Sequence, residues 1–197
     1  MISALRTLLL CALAIAMLYA MRESMPGYGD ITAPIAVRGA VGERVETQDF
    51  AFGAASVHLA RAVKVESFGR VKDYSTSGVW LIIEGAAVAK TETMTLMSAE
   101  WQAGNGVRYA LSQRFSTVSG YLPTERLEPG LPRPVLLAFE LPETAVDKGT
   151  LLVARSLVMP LAEELSIALG DRKPTEIKPS VTISRSAGGA PWTLAAR

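Results

Sequence analysis

Very few residues of this chain have the types and spacing that chemistry requires. The sequence contains one histidine, His58, and one cysteine, Cys11. A zinc site takes three or four converging Cys, His or carboxylate ligands, so a conventional zinc site is excluded. A nucleophilic serine needs a base beside it, and no serine lies in a G-x-S-x-G turn. We therefore predict that His58, in the alternating segment SVHLAR, is a structural residue.

The acidic residues do not form a catalytic or metal-binding pattern either. Glu163 and Glu164 are adjacent, so on a strand they point to opposite faces and cannot share a glycosidase site. Asp73, Glu92 and Asp147 are isolated in the sequence. Neither a phosphate-binding glycine-rich loop nor an EF-hand loop is present. We expect no catalytic residue, no metal and no cofactor, and a protein that is not an enzyme.

The charge of the chain disfavours nucleic acid as a partner. Twenty Lys and Arg face nineteen Asp and Glu, for a net charge of +1. No bulk field would draw the protein to nucleic acid or to an anionic surface. The basic residues also come singly, as Arg108, Arg114, Arg126 and Arg133 do. We expect a protein partner and no small-molecule substrate.

Tryptophans are the side chains with the best prospect of contacting a partner. The chain has three, Trp80, Trp101 and Trp192, and exposed aromatic residues bind glycans or proteins. Trp80 alternates with Val79, whose side chain we assign to the core. Trp80 is therefore either exposed or covered by packing on the outer side of its sheet.

The C-terminal tail from Ser184 to Arg197 is rich in Gly, Ala and Ser. Such a composition is typical of a disordered end, and the alternative is a short docking peptide. If the tail is ordered against another chain, Trp192 and Leu194 would be its anchors. Together with Trp80 and Trp101, these two residues complete the predicted partner contacts.

The N-terminus predicts a membrane anchor. Residues Thr7 to Met21 are an uncharged apolar run between Arg6 and Arg22. A spanning helix needs about 20 residues to cross about 30 Å of hydrocarbon, and apolar residues upstream of Arg6 supply the remaining length. Positive charge before the span places the N-terminus in the cytoplasm and the bulk of the chain outside the cell membrane.

Two other kinds of export signal are weighed against the anchor. Cleavage after Ala20 would put Leu18 at the position where signal peptidases prefer a small residue, so a cleaved signal is an alternative that the sequence encodes poorly. Cys11 follows three leucines at the start of the apolar run. A lipoprotein signal has small residues before its cysteine, so lipidation is disfavoured.

The chain divides into four parts. Residues 1–23 are the predicted anchor, 24–34 a linker rich in Gly and Pro, 35–170 a folded domain, and 171–197 a C-terminal extension. The domain has no cysteine, so it must hold together by packing alone. An exported domain without disulfides favours a bacterial envelope protein.

Short β-rich runs separated by turn residues predict an all-β sandwich for the folded domain. The predicted strands are 35–37, 43–46, 51–66 (two strands or one bent strand), 79–90, 93–99, 107–115, 134–141, 150–156, 164–169 and 177–184. Gly104-Asn105-Gly106 predicts a hairpin. Alternation assigns these side chains to the core: Val57, Leu59, Val79, Leu81, Ile83, Val107, Tyr109, Leu111, Val135, Leu137, Phe139 and Leu141.

One part of the chain resembles a known family. The segment from Gly39 to Val63, with a Gly-Glu pair and Phe-x-Phe followed by Val57, resembles the start of a bacterial family of uncharacterised extracytoplasmic domains. That family is related in fold to a secreted mycobacterial antigen with an immunoglobulin-like sandwich. Further pieces follow in the family's order up to Leu169: 79–88, 90–94, 106–109, 127–130 and 139–142. Ala89-Lys90-Thr91 departs from the Asn-containing pattern of the family.

The resemblance implies an immunoglobulin-like β-sandwich, an anchored envelope location and no catalysis, and it supplies no functional residues. We accordingly expect a membrane-anchored extracytoplasmic binding or accessory protein of the bacterial cell envelope, acting through protein or cell-wall contacts. The alternative is a permanent structural subunit of a larger membrane complex. In that case Ala12, Ala14 and Ala16 would let other transmembrane helices approach closely.

Overall fold

The computed structural model describes residues 2–27, 31–67, 69–156, 160–170, 174, 176–184 and 192–196. Helix α1 (Ile2–Ser24) consists mainly of Leu, Ala and Met, which are strong helix formers. Its side chains from Ala4 onward are exposed on every face. Residues Ala4–Ser24 are long and apolar enough to cross a membrane, a test that a signal sequence also passes.

Apart from three short 3-10 helices, Gln113–Phe115, Leu122–Thr124 and Glu143–Ala145, the remaining described elements are strands in two sheets. They are β1 (Ile35–Ala40), β2 (Val45–Glu46), β3 (Phe50–Ser67), β4 (Arg70–Ala89), β5 (Ser98–Gln102), β6 (Arg108–Ala110), β7 (Arg133–Leu141), β8 (Thr150–Ala154), β9 (Glu163–Ala168), β10 (Ile177–Ser184) and β11 (Thr193–Ala196). The five-stranded sheet has the order β1-β9-β8-β5-β6. The six-stranded sheet has the order β11-β10-β3-β4-β7, with β2 also paired to β3. Most neighbours are antiparallel, but β1–β9 and β3–β10 are parallel.

The two sheets face each other through the rows that alternation predicts. Leu81 of β4 pairs with Phe139 of β7, and Ile83 pairs with Leu137, all four being buried. Trp101 of the other sheet meets Phe139 with ring centroids 6.5 Å apart. The prediction of a mostly β chain with a sandwich core is confirmed.

Two predicted strands in the middle of the chain are wrong. Residues 93–97 contribute only an isolated bridge, from Met94 to Leu127, and β5 begins at Ser98. The predicted strand 107–115 ends at Ala110, where β6 stops and the chain turns into a 3-10 helix. Val107 is consequently 47% exposed beside the hairpin and is not a core residue.

The long hairpin of β3 and β4 extends further than the sequence indicates. β4 begins at Arg70, because its first residues pair with the end of β3 although they are mostly polar. β3 is one strand, with register shifts between Ala54 and Ser56 and between Ala60 and Ala62. Such irregularities bend a strand.

The six-stranded sheet curls back over its own outer face. Glu66 of β3 pairs with Ser184 of β10, which in turn pairs with Thr193 of β11. Glu84 of β4 pairs with Ser56 of β3. Ser56 is ten residues from Glu66 on the same strand, so in a flat sheet the two would lie about 33 Å apart at about 3.3 Å per residue. The Trp192 Nε1 atom, one residue from Thr193, nevertheless donates to Glu84 Oε1 at 2.8 Å. The strands must therefore bend, and Phe115 and Gly120, which lie against Trp80 and Trp192, are on the outer face that they cover.

Candidate functional site

The polar side chains that the curled sheet brings together are Ser56, His58, Glu84 and Trp192, here named the Glu84 cluster. Ser56 and His58 are two residues apart on β3, so they point to the same face. Glu84 on β4 is the cross-strand partner of Ser56. Trp192 comes from the start of the last strand, far along the chain.

Each donor in the cluster reaches the same carboxylate. Ser56 Oγ donates to Glu84 Oε2 at 2.7 Å, and His58 Nε2 lies 3.1 Å from that oxygen. Trp192 Nε1 donates to the other oxygen, Oε1, at 2.8 Å. About a quarter of the His58 and Glu84 side chains is exposed, 23% and 26% respectively. The cluster is thus a partly shielded acceptor with three partners.

These hydrogen bonds set the charge of the cluster. The bond from His58 is the largest cause that holds the pKa of Glu84 at about 2, and the bonds from Ser56 and Trp192 act in the same direction. Burial opposes them by raising the pKa. Glu84 therefore remains a carboxylate at any ordinary pH and is always able to accept these bonds.

The order of the groups does not suit nucleophilic catalysis. A catalytic serine gives its proton to a neighbouring base, whereas Ser56 and His58 both contact Glu84 and the carboxylate lies between them. A carboxylate with a pKa of about 2 is also a weak general base. Within the described residues, no group of three or more His, Cys, Asp or Glu is placed to hold a metal ion.

Gly120 leaves the space that the Trp192 ring occupies. This glycine has a φ of 81°, which is in the left-handed region, and a Cβ there would overlap the Trp192 ring. The Trp192 side chain is almost completely buried as a result. The cluster therefore fixes the start of β11 to the outer face through one polar contact and one close ring contact.

Trp80 and Trp101 are not at the surface, so the structure contradicts their assignment as partner contacts, and of the two alternatives for Trp80 it agrees with packing on the outer side of its sheet. Trp80 is fully buried: its indole donates to the Tyr74 carbonyl at 3.1 Å, and its ring packs edge-on against Phe115 at 5.1 Å. Trp101 is buried between the sheets, where its indole donates to the Ala145 carbonyl at 2.8 Å. Neither side chain is available at the surface of the described chain.

The two predicted contact residues of the tail, Trp192 and Leu194, belong to the folded domain. Trp192 is buried in the Glu84 cluster, and Leu194 of β11 is partly buried against the core. A disordered end is therefore wrong for residues 192–196, while residues 185–191 lie outside the described part. Sequence reasoning missed Ser56, Glu84 and Gly120. The available signal was Glu84, the one charged residue in the apolar run from Val79 to Ala89.

A second polar group lies at the end of the sandwich where β1 begins. The Arg155 guanidinium is 2.7 Å from Glu92 and 3.8 Å from Asp49. It lines a shallow cavity of about 240 Å³ together with residues that include Ile35 and Leu161. The backbone N–H of Gln48 donates to Glu163 in the same place, at 2.6 Å.

Two packed sheets with an apolar core define the chain as a β-sandwich protein. No protein-family model matches it, and neither does any curated protein. Among solved structures it is similar to an uncharacterised β-sandwich protein of Clostridium difficile 630, with 12% identity over 73% of this chain and 99% of that one, at a TM-score of 0.46. It is also similar to the yjhA protein of Bacillus subtilis, with 13% identity over 65% and 98%, at 0.49.

A conserved hypothetical protein of Bacillus anthracis is similar with 16% identity over 61% of this chain and 92% of that one, at a TM-score of 0.44. Likenesses of this strength carry no argument about function. What the chain does has to be inferred from its own surfaces.

Proposed function

We propose that the protein is a membrane-anchored binding or accessory protein of the bacterial cell envelope, which acts through contacts and without catalysis. The observation that carries the proposal is helix α1, whose large apolar side chains are exposed on every face. Such a helix is unfavourable in water and favourable in lipid or against other apolar helices. Arg6, near the N-terminal end of the span, favours a cytoplasmic N-terminus and an extracytoplasmic sandwich.

The absence of catalysis belongs to the same proposal. His58 and Ser56 are both engaged by a permanently charged carboxylate, which supports a structural role for the Glu84 cluster. The finer assignment to an immunoglobulin-like sandwich, related to the extracytoplasmic family with its mycobacterial antigen, is also a proposal. Its support is the two-sheet architecture and the order of the pieces from Gly39 to Leu169.

Strand β11 is the surface on which we expect a protein partner to bind. It is the edge of the six-stranded sheet, and edge strands accept an extended segment of another chain by strand addition. Trp192 holds β11 in place through Glu84, and Leu194 packs on the core. These two residues would then position the edge, while its backbone makes the contact.

The test is purification of the tagged full-length protein from its native membrane in mild detergent, followed by mass spectrometry. We expect a reproducible set of envelope proteins. Trp192→Ala should reduce their recovery because β11 loses its anchor. Val107→Ala, at an exposed position remote from β11, is the matched control and should recover the same set. A protein that always purifies alone as a monomer would contradict a stable partner.

The alternative, a permanent subunit of a larger membrane complex, is favoured by one feature of α1. Ala12 and Ala16 are four residues apart and so share a face on which another helix can approach closely. Replacing both by Leu should then release the partners, whereas Ala14→Leu, on the opposite side of the helix, should not. If Trp192→Ala loses the partners while the variant with both Ala12→Leu and Ala16→Leu retains them, a permanent subunit held by α1 is excluded.

A further inference from the structure

Exposed apolar side chains collect at one end of the sandwich. Outside α1, the described chain exposes eight large apolar side chains by 47% to 74%: Met25, Ile31, Ile35, Val71, Met97, Val107, Leu131 and Leu161. Scattered single residues of this kind need no explanation, but a group of them marks an interaction surface. All except Val71 and Val107 are at the end where the chain arrives from α1.

The first part of this group is held together by the linker. The backbone N–H of Leu161 donates to the Thr32 carbonyl at 3.4 Å, and that of Ile35 donates to the Ala162 carbonyl at 2.9 Å. The linker therefore runs along the loop before β9. This contact brings the side chains of Ile31, Ile35 and Leu161 to the same edge.

Arg155 and its neighbours connect the other members. The Met97 N–H donates to the Arg155 carbonyl at 3.1 Å, and the Arg155 side chain pairs with Asp49. The Lys90 N–H donates to the Asp49 carbonyl at 2.8 Å. One residue before Lys90, the Ala89 carbonyl accepts a bond from Gly130, the neighbour of Leu131. We name Ile31, Ile35, Met97, Leu131 and Leu161 the anchor-proximal rim.

Leu161 has a second property that packing inside the domain does not explain. Its φ is 59°, in the left-handed region that a bulky side chain rarely adopts. Its side chain is 60% exposed, so the strained backbone directs an apolar group into solvent and gains no burial in return. Strained positions are retained where they serve a function, and contact with an apolar phase would be one.

The length of the linker between α1 and Thr32 limits how far the rim can lie from the membrane. Helix α1 ends at Ser24, and Thr32 is already held by Leu161. The eight peptide steps between them reach at most about 28 Å. The rim is thus confined close to the surface in which the helix would be embedded, and confinement of this kind gives a high effective concentration.

We propose that the anchor-proximal rim rests on the lipid bilayer, with its apolar side chains in the boundary between headgroups and acyl chains. The proposal rests on the membrane anchor of the proposed function. Contact at the rim would fix the tilt of the sandwich and turn the hairpin between β5 and β6, with Val107, away from the membrane. The linker contacts at Thr32 and Ile35 would then help to hold the sandwich in a defined orientation.

The experiment uses the full-length protein with Cys11→Ser and one new cysteine at a time, labelled with a polarity-sensitive fluorophore. Met97→Cys, Leu131→Cys and Leu161→Cys report on the rim. Val71→Cys and Val107→Cys are matched controls, since they replace equally exposed apolar residues elsewhere. Each protein is reconstituted into phosphatidylcholine vesicles, with and without phosphatidylglycerol, that carry nitroxide-labelled lipids near the headgroup.

We expect a blue shift and lipid quenching for the three rim labels, and water-like emission without quenching for the two controls. The wild-type protein labelled at Cys11 reports on the anchor itself. Water-like rim labels together with a quenched Cys11 label would overturn the rim proposal and leave the anchor standing. A Cys11 label that no lipid quenches would overturn both.

Discussion

The two buried layers of the molecule are built on different principles. The layer between the sheets is made of apolar rows from both sheets, and the only polar group of Trp101 is satisfied by a backbone carbonyl. The layer under the curled part of the six-stranded sheet instead contains a charged carboxylate, Glu84, whose partners hold the last strand. Stability in the first layer is spread over many contacts. In the second it depends on few, so this layer should open separately and at lower cost.

If the layer between the sheets stabilises the whole domain, removing one of its large side chains should lower the free energy of unfolding of the entire domain. Trp101→Ala removes a fully buried ring that packs against Phe139, and it leaves the Ala145 carbonyl without its donor. We expect a loss of about 3–5 kcal/mol in the free energy of unfolding, measured by urea denaturation in detergent. Val107→Ala, at an exposed site, should change it by less than about 0.5 kcal/mol. Equal effects of the two changes would show that the sandwich core is not what stabilises the domain.

The second layer should respond to acid. The pKa of Glu84 is about 2 in the folded protein against an ordinary value of 4.5. Because the folded pKa is the lower one, the stabilisation is complete above the ordinary value and is lost as the pH falls from 4.5 through about 2. The maximum is about 3 kcal/mol, at about 1.4 kcal/mol per unit.

Glu84→Gln isolates this effect from that of the other carboxylates. The variant cannot titrate at this position, so its unfolding free energy should fall less steeply with acid than that of the wild-type protein. Urea denaturation of both proteins between about pH 6 and pH 2.5 gives the difference. Parallel pH profiles would mean that folding does not lower the pKa of Glu84.

The two layers also differ in how far the sequence predicts them. Alternation of apolar and polar residues is a local pattern, so the sequence predicts the buried rows that contain Leu81 and Phe139. Gly104-Asn105-Gly106 likewise predicts the hairpin between β5 and β6. The burial of Trp80 could not be read, because it depends on Phe115 from a segment without periodicity. The bond between Glu84 and Trp192 requires the sheet to bend, and no local sequence pattern predicts that bend.

The close contact between Gly120 and the Trp192 ring gives a sharper test of the layer that contains Glu84. Gly120→Ala adds a Cβ where the Trp192 ring lies and also strains a backbone with a φ of 81°. We expect a loss of about 2 kcal/mol from the two effects together. Gly130→Ala is the matched control, since its φ is 72° but no atom lies within 4 Å of the added Cβ. If both changes cost the same, the ring contact has no weight and only the strain is measured.

The smallest expected effect separates the indole bond from the ring. Trp192→Phe keeps an aromatic ring at Gly120 and removes the donor to Glu84 Oε1. We expect a loss of about 1 kcal/mol, because the acceptor is charged but partly exposed. In hydrogen exchange, amides of β10 and β11 should become less protected, while those of β8 in the other sheet should not change. Combined with Glu84→Gln, the change should cost less than the sum of the two single variants, since loss of the acceptor's charge already weakens the bond that Trp192→Phe removes. Strictly additive costs would mean that Trp192 and Glu84 do not interact. Uniform loss of protection in both sheets would mean that the two layers unfold as one.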